Sequence, residues 1–106
     1  MIFTVELTPT AEDNKKSIEE DKSDPGLSKQ VKKALGFLSS NPKHPSLVTH
    51  KFESLTNPKN TKEPVFESYA QNNTPTAYRI FWIYGSIKKP PTDGRIITVF
   101  AITSHP

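Results

Sequence analysis

The apolar residues of this chain follow two different periods, one in residues 25–40 and the other after residue 64. In the first segment they recur every three or four positions, as in an α-helix with one buried face. This stripe consists of Leu27, Val31, Ala34, Leu35 and Leu38. After residue 64 they alternate or run consecutively, as they do in the strands of a sheet. Helices followed by strands favour an α+β fold.

The residues before this helix predict one further strand and one further helix. Residues 2–7 alternate, with Phe3, Val5 and Leu7 on one side, and predict a half-buried strand. Thr8 and Pro9 are residue types that cap a helix and occupy its first turn, so a polar helix is expected from there to residue 22.

The rest of the chain predicts a sheet. Residues 65–71, 76–84 and 95–103 predict three strands, and residues 47–52 a short strand or an extended arm. We therefore expect a single domain over residues 1–106, with two N-terminal helices packed on a mostly antiparallel, twisted sheet of four to five strands. The first strand is expected to pair with one of the last strands, because its alternating face needs sheet neighbours.

Composition excludes several classes of site. The 106 residues include no cysteine, which rules out a disulfide scaffold, a thiolate zinc site and a cysteine nucleophile. The three histidines are too far apart in sequence for a recognisable metal motif, so neither a metal nor a cofactor is expected. No apolar run approaches the ~20 residues of a membrane helix, and residues 1–10 do not resemble a signal peptide. A cytoplasmic protein without a membrane partner is expected.

Charge is unevenly distributed along the chain. There are 14 basic and 11 acidic residues, a formal net charge of +3. Up to Asp24 acidic residues outnumber basic ones by seven to three, and after it basic residues outnumber acidic ones by eleven to four. This asymmetry is compatible with a polyanionic partner such as nucleic acid, although scattered surface lysines would give the same count.

The candidate site is built around Arg79, a charge in the middle of an apolar strand. A charge there is costly unless it faces solvent, a cleft or a partner. Glu67 and Tyr69 share one face of the preceding strand, and His105 follows the last strand. Arg79 and His105 could meet on one side of the sheet. Equally, Arg79 could form an ordinary cross-strand ion pair with Glu67.

Several segments of the chain together resemble the RelE/ParE superfamily of toxins from type II toxin–antitoxin modules, in particular its RelE/YoeB side. The segments are FTVELTPTAE, QVKKALGFLSSNPKHPSL, VFESYAQ, AYRIFWIYG and ITVFAITSHP, in that order over nearly the whole chain. The strongest of them contains Tyr78-Arg79-Ile80 and is followed by an apolar last strand. The resemblance implies the same arrangement of helices and sheet.

The resemblance also implies an activity. RelE-like toxins are metal-independent endoribonucleases that cut mRNA on the ribosome by attack of a ribose 2′-OH on the adjacent phosphate. This reaction needs a base, a cation near the phosphorane and an acid for the leaving oxygen. By resemblance Arg79 contacts the phosphate, His105 is the general acid, and His50 lies near the position of the general base. An antitoxin protein, the ribosome and mRNA are the implied partners.

Further residues are assigned to this site with less specific roles. Glu53 lies close to the position of the base, and Lys51 could supply additional positive charge. Glu67 and Tyr69 occupy the strand positions where RelE has lysines, and Lys88 and Lys89 lie in a loop. These four residues are assigned to RNA binding.

Two other functions are compatible with the same sequence. One is a ParE-like protein that poisons DNA gyrase by binding it. The other is a catalytically degenerate protein that keeps the RelE fold. The segment 86–94 and the altered positions of the catalytic groups favour this second alternative, whereas His105 favours the nuclease.

Overall fold

A five-stranded sheet with two helices on one face forms the part of the chain that the computed structural model describes, residues 3–53, 63–71, 77–86 and 95–104. In chain order the elements are β1 (Thr4–Leu7), α1 (Pro9–Glu20), α2 (Pro25–Ser40), a 3-10 turn (Pro45–Leu47), β2 (His50–Lys51), β3 (Phe66–Tyr69), β4 (Tyr78–Tyr84) and β5 (Ile96–Ser104). The predicted α+β arrangement is confirmed.

Both helices begin at a capping side chain followed by proline. The Thr8 hydroxyl accepts a hydrogen bond from the Ala11 amide, and the Asp24 carboxylate accepts one from the Leu27 amide at 3.1 Å. The first helix ends at Glu20, before the predicted residue 22, because the Asp21 carboxylate binds the Ser23 amide and holds the chain in a turn. Neither helix has the length and apolar character needed to cross a membrane.

The strands follow the spatial order β1-β5-β4-β3-β2. The first strand runs parallel to the last one, with Val5 opposite Ile97, and the other pairs are antiparallel. Pairing of the first strand with a late strand was expected and is confirmed. The predicted strand over residues 47–52 is reduced to His50–Lys51, preceded by the 3-10 turn.

A bulge in β5 changes which of its side chains face the helices. Val99 lies opposite Trp82 and Ala101 opposite Phe81, so Phe100 is an additional residue on its strand. Strict alternation would put Val99 and Ile102 on opposite faces. The additional residue restores them to the same face, and both are buried in the core.

The core lies between the helices and one face of the sheet. It combines the stripe of α2 with inward side chains of β4 and β5, and its fully buried members include Leu38, Ile80, Trp82, Ile97 and Val99. The opposite face of β4 carries Arg79, Phe81 and Ile83, as the alternation of the sequence predicts.

A chain of hydrogen bonds links the core to the loop before β2. The indole Nε1 of Trp82 donates to the Ser68 hydroxyl at 2.8 Å, and this hydroxyl lies 2.7 Å from that of Thr49. The Thr49 hydroxyl donates to the Pro42 carbonyl at 2.7 Å. Because a carbonyl can only accept, Ser68 must donate to Thr49. Both hydroxyl protons of this series of hydrogen bonds, those of Ser68 and Thr49, therefore have an assigned acceptor.

The capping of α2 can be tested with two substitutions. Replacing Asp24 with alanine removes the acceptor for the Leu27 amide, and we expect the free energy of unfolding to fall by about 1 kcal/mol. Asp24→Asn keeps a side-chain acceptor and should retain most of the stability. Urea denaturation followed by circular dichroism measures both, and equal losses for the two variants would contradict the capping role.

A second prediction concerns the buried hydroxyl of Ser68. Ser68→Ala leaves the Trp82 indole N–H buried without its acceptor, so we expect a loss of about 1–3 kcal/mol in the free energy of unfolding. The control is Ser17→Ala on the exposed side of α1, which should change stability by less than about 0.5 kcal/mol. Indistinguishable urea midpoints for the two variants would show that the hydroxyl is not needed.

Candidate functional site

Arg79 lies in β4 on the face of the sheet that points away from the helices. Its cross-strand partner is Tyr69, and Glu67 is two positions earlier on the same strand and therefore on the same face. Across the next pair of strands His50 lies opposite Glu67. The register of three strands thus brings four of the predicted site residues onto one face.

The guanidinium of Arg79 is enclosed by its neighbours. The residue is only 5% exposed, and its Cζ atom lies 4.2 Å from the centre of the Tyr69 ring, the geometry of a cation–π contact. Its Nη1 atom is 3.6 Å from Glu67 Oε2. Among the described residues the Nε atom has no hydrogen-bond partner. The ion pair with Glu67, one of the two possibilities open from the sequence, is therefore present, and it lies within a larger cluster.

Glu67 joins Arg79 to His50. The carboxylate residue is 2% exposed, and its Oε1 atom lies 2.6 Å from His50 Nε2. The other ring nitrogen, Nδ1, lies 2.8 Å from the Val48 carbonyl. Because that carbonyl can only accept, a hydrogen bond at Nδ1 requires a proton on that nitrogen. The imidazole and the carboxylate thus lie within hydrogen-bonding distance of each other, beside a cation.

Val48 has an unusual backbone that serves this contact. Its φ of 47° and ψ of 46° put a β-branched residue in the left-handed region, at a cost of about 1–3 kcal/mol. In this conformation its carbonyl reaches the imidazole. Sequence analysis did not identify Val48, and no signal could have indicated it, because valine is not a residue type that favours this region.

Other predicted residues lie elsewhere. Lys51 pairs with Phe66 and shares its face, which is the face opposite Arg79, and Glu53 is exposed in the turn after β2. His105, Lys88 and Lys89 lie outside the described residues. The last strand nevertheless reaches the site, since Thr103, two residues before His105, is the cross-strand partner of Arg79.

The described residues contain no group of three or more histidine or carboxylate side chains placed to hold a metal ion. What the cluster offers chemically is a permanent cation in a poorly hydrated position, next to a carboxylate and an imidazole within hydrogen-bonding distance of each other. Such an arrangement can bind an anionic group and exchange a proton with it.

Comparison with solved structures finds a similar fold. The YoeB dimer from Staphylococcus aureus matches over 100% of this chain and 100% of its own, with a TM-score of 0.58 and 12% sequence identity. No protein-family model and no curated protein matches the sequence. At this level of identity the comparison establishes the fold: two helices on a five-stranded mixed sheet, as in RelE- and YoeB-like proteins.

Proposed function

We propose that this chain is the toxin of a type II toxin–antitoxin module and that it cuts mRNA by attack of a ribose 2′-OH on the adjacent phosphate. The observation that carries the proposal is the buried guanidinium of Arg79 on one face with His50 and Glu67, whose side chains lie within hydrogen-bonding distance of each other. The fold shared with the YoeB structure supports the same class of protein.

The reaction has defined requirements for charge and protons. The 2′-oxygen bonds to phosphorus, the bond from phosphorus to the 5′-oxygen breaks, and the products carry a 2′,3′-cyclic phosphate and a 5′-hydroxyl. One proton leaves the 2′-OH and another is delivered to the 5′-oxygen. Negative charge accumulates on the phosphorane oxygens, where a guanidinium can stabilise it through charge-assisted hydrogen bonds.

The proposal assigns these roles to residues of this chain. Arg79 stabilises the phosphorane, with Tyr69 holding its guanidinium in place through the ring contact. The His50–Glu67 pair takes the proton from the 2′-OH in the state in which neither His50 Nε2 nor the Glu67 carboxylate carries one, and His105 gives a proton to the 5′-oxygen. These groups together supply every charge and proton that the reaction needs.

The contact between Glu67 and Arg79 is not a direct hydrogen bond. The separation of 3.6 Å between Nη1 and Oε2 is longer than a hydrogen bond, so the contact is mainly electrostatic. The Nε donor has no partner among the described residues. Because Arg79 is only 5% exposed, a phosphate reaches its guanidinium only after a covering side chain moves, but no direct hydrogen bond between Arg79 and Glu67 has to break.

The setting of the reaction is also proposed. The protein acts in the cytoplasm on mRNA held by the ribosome, and an antitoxin neutralises it by covering the Arg79 face. Tyr69, Glu67, Lys88 and Lys89 remain predicted RNA contacts, and Glu53 a predicted neighbour of the base.

Cleavage of mRNA in a reconstituted translation system tests the activity. The wild-type chain should cut ribosome-bound message, Arg79→Ala should lower the rate by about 10²–10³, and His105→Ala by about 10²–10⁴. Lys29→Ala, on the exposed surface of α2, should cleave like the wild type. Intact message with the wild-type chain, or equal rates for wild type and Arg79→Ala, would overturn the proposal.

A stability measurement separates the loss of chemistry from the loss of fold. Arg79→Met alone leaves the buried Glu67 carboxylate without its cation, and we expect the free energy of unfolding to fall by about 3–5 kcal/mol. Adding Glu67→Gln to Arg79→Met removes both charges and keeps an acceptor for His50, so most of that loss should be recovered. If single and double variants unfold at the same urea concentration, the buried pair does not govern stability.

A second candidate function is arrest of a target by binding without cleavage. It is favoured by one observation: both ring nitrogens of His50 and the Glu67 carboxylate already bind groups within the chain. A protein acting in this way would stop translation while the message stays intact, and the Arg79→Met/Glu67→Gln double variant would still arrest it.

A further inference from the structure

A concavity lies beside the edge strand β2, on the face of the sheet opposite Arg79. His50 and Lys51 are adjacent, so their side chains point to opposite faces of the sheet. His50 belongs to the Arg79 face, and Lys51 lines a concavity of about 590 Å³ together with Lys43, Val48, Phe66 and Tyr84. This volume is within the range of sites for small organic ligands, about 300–1,000 Å³, and exceeds what one peptide side chain fills.

Aromatic rings form one wall of the concavity. Phe66 is half-buried and stacks on Trp82 with ring centres 4.7 Å apart, and Tyr84 stands nearly perpendicular to Phe66 at 5.4 Å. Burial raises the pKa of the Tyr84 phenol, so at neutral pH it is an uncharged hydroxyl. The rings offer a rigid apolar surface with one polar group, which suits a flat heterocycle.

Two lysines add positive charge to the rim. Lys43 and Lys51 are both exposed, and neither forms an ion pair with any of the described residues. Unpaired ammonium groups beside aromatic rings are the combination that binds single-stranded nucleic acid, with phosphates on the cations and bases on the rings.

Val48 provides a further apolar surface at the same rim. It is 56% exposed, the only large apolar side chain exposed to this extent in the part of the chain that the structure describes. Its left-handed backbone is strained, and because the side chain is exposed, burial of apolar surface does not offset this strain. A ligand that covers Val48 would supply that burial.

We propose that this concavity binds a nucleotide of single-stranded RNA. Its base packs against Phe66, Tyr84 and Val48, and its flanking phosphates contact Lys43 and Lys51. The strand then crosses the edge of the sheet over β2 and reaches the Arg79 face. The inference rests on the proposed function, because it takes the RNA to be the substrate of that face, but it assigns a separate binding surface.

Binding to an RNA that cannot react isolates this surface from catalysis. A fluorescent hexanucleotide with 2′-O-methyl groups has no free 2′-OH, and fluorescence anisotropy measures its affinity. Lys43→Gln/Lys51→Gln should bind about tenfold more weakly than the wild type, and the slope of log K against log salt should become shallower by about 1.4. Lys22→Gln/Lys29→Gln, which removes two exposed lysines elsewhere, should bind like the wild type.

The aromatic wall is tested in the same assay. Tyr84→Leu removes the ring and should weaken binding about tenfold, whereas Tyr84→Phe keeps the ring and should bind normally. Thermal unfolding of each variant identifies any that fails to fold.

Three results would overturn the inference. The first is no binding of RNA by the wild type, and the second is an equal effect of the two lysine pairs. The third is a Lys43→Gln/Lys51→Gln variant that still binds RNA normally but no longer binds a glutamate- and leucine-rich peptide. The last result would assign the concavity to an acidic protein partner. Binding that follows the expected pattern without any cleavage of reactive mRNA would instead contradict the nuclease proposal and leave this inference standing.

Discussion

The buried carboxylate of Glu67 is the constraint on which the functional face depends. It contacts Arg79 of β4 on one side and His50 of β2 on the other, while it belongs to β3 itself. Glu67 and Arg79 would each be costly to bury alone, and together they compensate one another. Side-chain contacts therefore supplement the short ladder that attaches a strand of only two residues, and they hold its histidine beside the cation.

The loop before β2 is held in place by polar contacts with the core. The hydrogen bonds from Trp82 through Ser68 and Thr49 to Pro42 connect the fully buried indole to this loop. His44 stacks on Phe37 of α2 with ring centres 3.9 Å apart. These contacts oppose the strain at Val48, whose carbonyl then orients His50. The loop is thus a support for the site, in addition to a connection between elements.

Local patterns in the sequence predicted the helices, the main strands and the face that Glu67 shares with Tyr69, whereas the pairing of Arg79 with Glu67 was one of two possibilities left open. Helical spacing predicted α2, and the two-residue period of β3 and β4 predicted which side chains lie together. The bulge at Phe100 and the shortness of β2 could not be predicted, because each depends on partners that are distant in sequence. The left-handed Val48 could not be predicted because valine does not favour that region. The contact between His50 and Glu67 also joins residues that are distant in sequence. The sequence therefore indicated His50 as a candidate but could not predict this contact.

The position of β5 has a consequence for synthesis. It is the last strand in the chain, yet it lies between β1 and β4 in the sheet, so the first strand has no sheet neighbour until residues 96–104 have been made. A nascent chain with this segment still in the exit tunnel cannot form the continuous sheet on which α1 and α2 pack. The Arg79 face is formed by β2, β3 and β4, so it is the attachment of β1 and the completion of the core beneath the helices that wait for β5.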